Sequence, residues 1–223
     1  MKTKLLLNAA VKYIAGLLLV AALIFGPAGT FDYWNGWLFT GLLFGPMLVL
    51  GVVLFVKAPE LLAKRLNAKE KQSAQKGVVA VSALAFIGGF VAAGLDFRFG
   101  WTEFPIWLEI AAAVILAVSY GLYAEVMREN AYLSRTIEVQ EGQKVVDTGL
   151  YGIVRHPMYA VTILLFLSIP VVLGSAVSLV IFLVYPLAIV SRIKNEEALL
   201  AEELAGYREY MEKVRWRILP FIW

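Results

Sequence analysis

The sequence predicts an all-α integral membrane protein with about six membrane-embedded helices, the last two closing a C-terminal helical hairpin. Composition is the first reason. Of 223 residues, 61% are hydrophobic and 17% charged, whereas a soluble domain is about 45–50% apolar and about 25% charged. A mean hydropathy of +0.76 excludes an ordinary soluble domain and a disordered, collagen-like or coiled-coil chain. The second reason is a series of apolar runs near the ~20 residues that cross ~30 Å of hydrocarbon. The third is the division of basic residues among the connections between those runs.

The first run, 13–25, follows Lys12 and stops at Gly26-Pro27. A basic start before an apolar stretch also fits a secretory leader; the run is expected to be retained as a span. Residues 36–56 form the longest uninterrupted apolar stretch. Residues 77–95 are rich in Gly and Ala, which lets helices approach closely, and 106–127 make the fourth span. The region 158–190 is too long for one span and holds Pro170, Gly174, Ser175 and Ser178 near its middle. It is predicted to be a tight helical hairpin turning near 173–175, its second arm continuing as a charged helix over 192–213.

Alternation of these spans collects nineteen of the 20 Lys and Arg residues on one side, with only Arg98 on the other. The positive-inside rule makes that basic side cytoplasmic and places both termini there. Trp34, Trp37, Trp101 and Trp107 fall at the outer span ends, as in an aromatic belt. The outer connections are short, so function belongs on the cytoplasmic side. Residues 1–127 read as a membrane scaffold and 128–223 as the part that carries chemistry. Within the scaffold, 57–76 predicts a short amphipathic cytoplasmic helix turning Lys and Arg toward anionic lipid headgroups. Topology accounts for the basic residues, and no nucleic-acid partner is expected. The absence of Cys excludes a disulfide framework, a thiolate nucleophile and zinc–thiolate or iron–sulfur sites. A single His excludes a multi-histidine metal site, so no metal is expected.

The segment 128–159 is too structured for a plain connector. Extended pieces at 137–140 and 145–146 flank a turn at Glu141-Gly142, and Asp147-Thr148-Gly149 makes another. Then come Tyr151-Gly152 and the cluster Arg155-His156-Pro157-Met158-Tyr159, directly before an apolar helix. Pro157 suits the first turn of that helix. Arg155 and His156 then lie at a helix N-terminus on the membrane surface, where free N–H groups suit an anion. Farther on, Arg192 and Glu196 are four apart and share one helix face where the last span emerges. Ionisable residues at that depth are functional candidates. Structural alternatives stand beside these readings: a plain Arg192–Glu196 helix pair, a His156 that satisfies backbone, and interfacial Tyr151 and Tyr159.

In order, Gly149-Leu150-Tyr151, Val154-Arg155-His156-Pro157-Met158-Tyr159, Arg192 with Glu196-Glu197, Tyr207 with Tyr210, and Arg217-Ile218-Leu219-Pro220-Phe221 resemble the isoprenylcysteine carboxyl methyltransferase and phospholipid methyltransferase family of integral membrane enzymes. The resemblance covers roughly 130–221, and the ordered combination is what makes it specific. It implies S-adenosyl-L-methionine as methyl donor, bound without a Rossmann fold in a cytoplasmic pocket between 138–159 and the C-terminal helices. The implied cofactor contacts are Gln140, Gln143, Lys144, Val145, Val146, Tyr151, His156, Pro157, Met158, Tyr159 and Glu197. Arg192 and Glu196 match the positions that line the methyl-acceptor site. The family often has Gly two residues after the Tyr of R-H-P-x-Y, where this chain has Val161.

Methyl transfer from a sulfonium is an in-line displacement that needs alignment and exclusion of water. A carboxylate acceptor is ionised at pH 7 and needs no base; Arg192 is suited to hold it bidentately. An amine or phenol needs a base, for which Glu196 is best placed. The acceptor implied is lipophilic: a prenylcysteine-like or isoprenoid carboxylate, with a phospholipid or small lipophilic amine or hydroxyl as the alternative. Some sterol reductases share a related C-terminal membrane core and use NADPH, a competing chemistry. A non-enzymatic transporter or scaffold would place polar residues along several spans. These spans hold few beyond Ser82, Ser119 and Ser168, and show no inverted repeat.

Overall fold

A computed structural model describes residues 2–66, 73–133 and 139–223. Part of the expected extended piece at 137–140 therefore lies outside the described residues, as do Lys69, Lys71 and Arg135. The described chain is helical, with no strand. Its helices are α1 (Lys2–Ala28), α2 (Trp34–Lys57), α3 (Pro59–Leu66), α4 (Ser73–Phe99), α5 (Ile106–Glu129), α6 (Pro157–Val172), α7 (Ala176–Phe182), α8 (Val184–Glu203) and α9 (Tyr207–Lys213). A short 3-10 turn at Gly149–Gly152 precedes α6.

Five helical stretches are long and apolar enough to cross a membrane: α1, α2, Val79–Phe99 of α4, α5, and Ala176–Glu203 across α7 and α8. Pro157–Val172 is apolar but shorter, at 16 residues. Side chains such as Leu18, Val49, Ile110 and Leu187 stand exposed around the bundle, an apolar surface that hydrocarbon rather than water would cover. The chain is thus an integral membrane protein. α1 begins at Lys2, ahead of the expected start at 13, because Leu5, Leu6 and Leu7 continue the apolar pattern.

The hairpin turns where expected. α6 ends at Val172, Gly174 takes φ 73°, and Ser175 caps α7 by accepting from the Ser178 N–H at 3.0 Å. The continuous charged helix expected over 192–213 is instead broken. Leu204 is extended and Gly206 adopts φ 82°, a left-handed conformation that costs glycine little, and α9 starts afresh at Tyr207.

Two ends of the bundle differ in kind. At one, the connections near 29–33, 100–105 and 173–175 lock together. Tyr33 Oη donates to the Leu173 carbonyl at 2.5 Å, and Asn35 Nδ2 to that of Val172 at 2.9 Å. Ser175 Oγ and Thr102 donate to the buried Asp96 carboxylate. Gly94 lets α4 press on the backbone of α1: a Cβ there would stand 2.4 Å from the Ile24 carbonyl oxygen. Gly89 likewise admits the Phe182 ring. Both glycines pack within the bundle. Ile24, Phe39, Phe90, Leu116, Ile169 and Phe182 fill the core behind them. The opposite end gathers α3, residues 139–156 and the C-terminal segment around a cavity. Beside it Pro46 lacks the N–H that would close its turn of α2. There Tyr13 and Tyr120 donate to the Phe44 and Leu43 carbonyls.

Candidate active site

The R-H-P-x-Y cluster is built into the start of α6. His156 occupies the position just before the helix and Pro157 its first residue. The backbone N–H groups of Arg155 and His156, expected to be free for an anion, instead donate to the Trp216 and Arg217 carbonyls, each at 2.8 Å. The C-terminal segment is thereby stitched to the entrance of α6. Arg155 reinforces the stitch, its Nη1 reaching the carbonyls of Val214 at 2.7 Å and Arg215 at 2.8 Å.

Glu197 organises the space behind this seam. Its carboxylate accepts from Arg155 Nε at 2.6 Å and Arg217 Nε at 2.7 Å, and lies 3.2 Å from His156 Nε2. It is only 4% exposed. A buried carboxylate costs solvation unless cations and donors surround it, and two guanidinium groups do so here.

One residue earlier, and about 100° around the helix, Glu196 faces the other way. Tyr159 Oη donates to Glu196 Oε2 at 2.5 Å and accepts from Arg192 Nε at 2.9 Å. The phenol thus sits between the two groups that share a face of α8. Tyr185, about two turns before Arg192, donates to Thr162 Oγ1 at 3.1 Å and adds another phenol to the same wall.

These groups open on a cavity of about 1350 Å³, larger than the ~300–1,000 Å³ of ordinary single-ligand sites. Part of its lining, the apolar arm, comes from α1, α2 and α4, with Ala9, Tyr13, Met47, Gly51, Ala83 and Phe86. The other arm is polar and reaches Gln143, Lys144, Val145, Val146, Tyr151, His156, Met158 and Tyr159. Arg192 and Glu196 line it too. Three expected cofactor contacts stand apart from the lining. Gln140 is engaged by Lys64 Nζ at 2.6 Å and itself donates to the Tyr132 carbonyl; Pro157 starts α6; Glu197 is held behind the wall.

The 139–152 segment is shaped by local chemistry. The Gln143 N–H donates to the Gln140 carbonyl at 3.0 Å around Gly142 (φ 69°). Gly149 takes φ 56°, and a Cβ there would collide with the Glu129 carboxylate, which accepts the Leu150 N–H at 2.9 Å. Glycine is therefore required for Tyr151 to reach the cavity wall.

Sequence reasoning left several lining residues unassigned. Lys12, Arg65, Tyr123, Tyr207 and Tyr210 all line the cavity. Arg65 contacts the Tyr123 hydroxyl, and Tyr210 Oη donates to the Tyr151 carbonyl at 2.7 Å. The Tyr207 hydroxyl is buried with no hydrogen-bond partner among the described residues. The spacing of Tyr207 and Tyr210 was their one signal; nothing local marks Arg65. Charge on the walls is mostly positive: Lys12, Arg65, Lys144, Arg155 and Arg192 against the carboxylate of Glu196. Phenol, amide and imidazole groups between apolar side chains make the polar arm fit for a ligand that is partly aromatic and partly charged, as S-adenosyl-L-methionine is.

Known proteins match parts of the chain. A 97-residue stretch is 37% identical to the uncharacterized protein YpbQ of Bacillus subtilis, covering 43% of this chain and 57% of that protein. A 136-residue stretch is 24% identical to the Delta(14)-sterol reductase of Methylotuvimicrobium alcaliphilum, covering 54% of this chain and 32% of the reductase. The chain thus spans a little over half of one relative and a third of the other. Tyr207, Tyr210 and Arg217 lie beyond the end of the family match, which stops in α8 at 202. Within it fall α5, the 3-10 turn, the R-H-P-x-Y cluster, the hairpin and the Arg192–Glu196–Glu197 face, and this segment, residues 107–202, carries the signature of the isoprenylcysteine carboxyl methyltransferase (ICMT) family.

Proposed function

We propose that the protein is a membrane-bound methyltransferase that uses S-adenosyl-L-methionine to methylate the carboxylate of a lipophilic, prenylcysteine-like or isoprenoid acid. The observation that carries the reading is one cavity whose lining joins an apolar set on α1, α2 and α4 to a polar set that includes the hydrogen-bonded Tyr159, Arg192 and Glu196. The donor, when bound, supplies an electrophilic methyl on a sulfonium. The polar wall of Gln143, Lys144, Val145, Val146, Tyr151, His156, Met158 and Tyr159 would bind it, with Gln140, Pro157 and Glu197 supporting that wall from behind.

Arg192 would hold the acceptor carboxylate, and its position is fixed by Tyr159. The mostly cationic lining supports an anionic acceptor, which needs no base. Glu196, held by the Tyr159 hydroxyl, helps set the phenol and guanidinium; for an amine or hydroxyl acceptor it would be the group to take a proton. The apolar arm would bury the lipid portion and exclude water from the displacement. The 19-to-1 division of Lys and Arg supports a cytoplasmic polar arm, open to a soluble donor, with both termini on that side.

The test is transfer of tritiated methyl to a panel of isoprenoid thio-acids and phospholipid amines. The expected product releases its label as methanol in base, as an ester does. Arg192→Ala should lower kcat/KM by about 10- to 100-fold, the loss of a charged hydrogen-bonding pair. Base-stable label on an amine would replace the carboxylate reading by that of a lipid N-methyltransferase. The match to a sterol reductase favours a second reading, reduction with a nicotinamide cofactor. Calorimetry separates the two: S-adenosyl-L-methionine binds and NADPH does not, if methyl transfer is right.

A further inference from the structure

Buried tyrosine hydroxyls in this protein are paired almost without exception. Tyr33, Tyr159, Tyr185 and Tyr210 donate to Leu173, Glu196, Thr162 and Tyr151. Tyr207 differs. It is 4% exposed, yet its hydroxyl has no partner among the described residues. The other buried hydroxyl without one among the described residues, Ser178 Oγ, lies beside Gly89 and does not line this cavity.

The fold gives Tyr207 little freedom to relieve this. Gly206 (φ 82°) sets the first turn of α9, and Tyr207 packs in one buried cluster with Leu204, Tyr210 and Val214, against which Val145 and Leu200 lie. The hydroxyl is neutral, because burial and then the nearby Glu197 and Glu196 carboxylates raise its pKa well above that of a free phenol. An unpaired buried hydroxyl costs free energy in the empty protein. That cost is recovered if something entering the cavity completes the bond. Val145 and Leu200, which pack against the same cluster, also line the cavity, as do the neighbouring Gln143, Lys144 and Val146.

We infer that the Tyr207 hydroxyl hydrogen-bonds the methyl donor in the polar arm, making Tyr207 a donor-binding residue outside the segment that carries the family signature. The inference rests on the methyl-transfer reading above. Tyr207→Phe removes one oxygen and tests it through two readouts that move oppositely. Thermal unfolding of the unliganded variant in detergent should give a Tm equal to or above that of the wild type, because an unpaired group is gone. Calorimetric affinity for S-adenosyl-L-methionine should fall by roughly 3- to 10-fold, the worth of one hydrogen bond. A variant Tm lower by more than about 2 °C would reveal a structural partner and overturn the inference. So would undiminished affinity in a variant whose wild-type parent binds. A wild-type protein that binds no S-adenosyl-L-methionine overturns the methyl-transfer reading, and the contact with it.

Discussion

Two adjacent glutamates on α8 carry different burdens. Glu197 is enclosed by Arg155, Arg217 and His156, while Glu196 meets Tyr159 at the cavity. Removing one member of a buried ion pair leaves its partners' charge unpaired, at a cost of about 3–5 kcal/mol. Glu197→Ala should therefore lower stability by that amount, seen as an early thermal transition in detergent. Glu196→Ala leaves no buried cation without a carboxylate at this hub. It should shift Tm little and lower methyl transfer instead, by misplacing Tyr159 and Arg192. If Glu197→Ala unfolds at the wild-type temperature, Glu197 is not the organising centre. The pair was legible as an acidic doublet next to Arg192, but not its division of labour. Helical phase turns the neighbours about 100° apart; which one faces the cavity is decided by how α8 rotates against α6, which tertiary packing sets.

At the scale of elements, close approach rather than propensity holds the bundle. Gly94 brings α4 onto the α1 backbone at Ile24 and Ala28. Gly41, in α2, has open space where a Cβ would go. Gly94→Ala should push the two helices apart and cost about 1–3 kcal/mol, whereas Gly41→Ala should be neutral or slightly stabilising. Equal melting temperatures for the two variants would refute the close contact. Gly149→Ala should be as harmful as Gly94→Ala, through both its φ of 56° and the Glu129 carboxylate beside it. Much of this layer could be read beforehand. The hairpin announced itself through Pro170, Gly174 and Ser175, and the start of α6 through Pro157. The break between α8 and α9 did not, because the charged run around it favours helix and only Gly206 interrupts it. Arg65 was equally silent: its approach to Tyr123 joins residues 58 apart, and no local pattern records such a meeting.

At the scale of the whole molecule, the two ends differ in what they hold. The Asp96 end is closed by short, mutually hydrogen-bonded connections, and the other holds the cavity, the Glu197 hub and nearly every described Lys and Arg. If the protein transfers methyl as proposed, a lipophilic acceptor must meet a water-soluble donor at this cavity, so orientation decides which compartment must supply the donor. The chain lacks Cys, so single introduced cysteines report side without a background. Thr3 and Glu212 are exposed at the basic end, and Glu103 is exposed at the other. With a membrane-impermeant maleimide on intact cells, Glu103→Cys should label, while Thr3→Cys and Glu212→Cys should label only after permeabilisation. The opposite pattern would place the polar arm outside the cell and remove its access to cytoplasmic S-adenosyl-L-methionine. Labelling of Thr3→Cys and Glu212→Cys from different sides would mean an odd number of crossings, and the hairpin of α6 with α7–α8 would then not return to the side from which it entered.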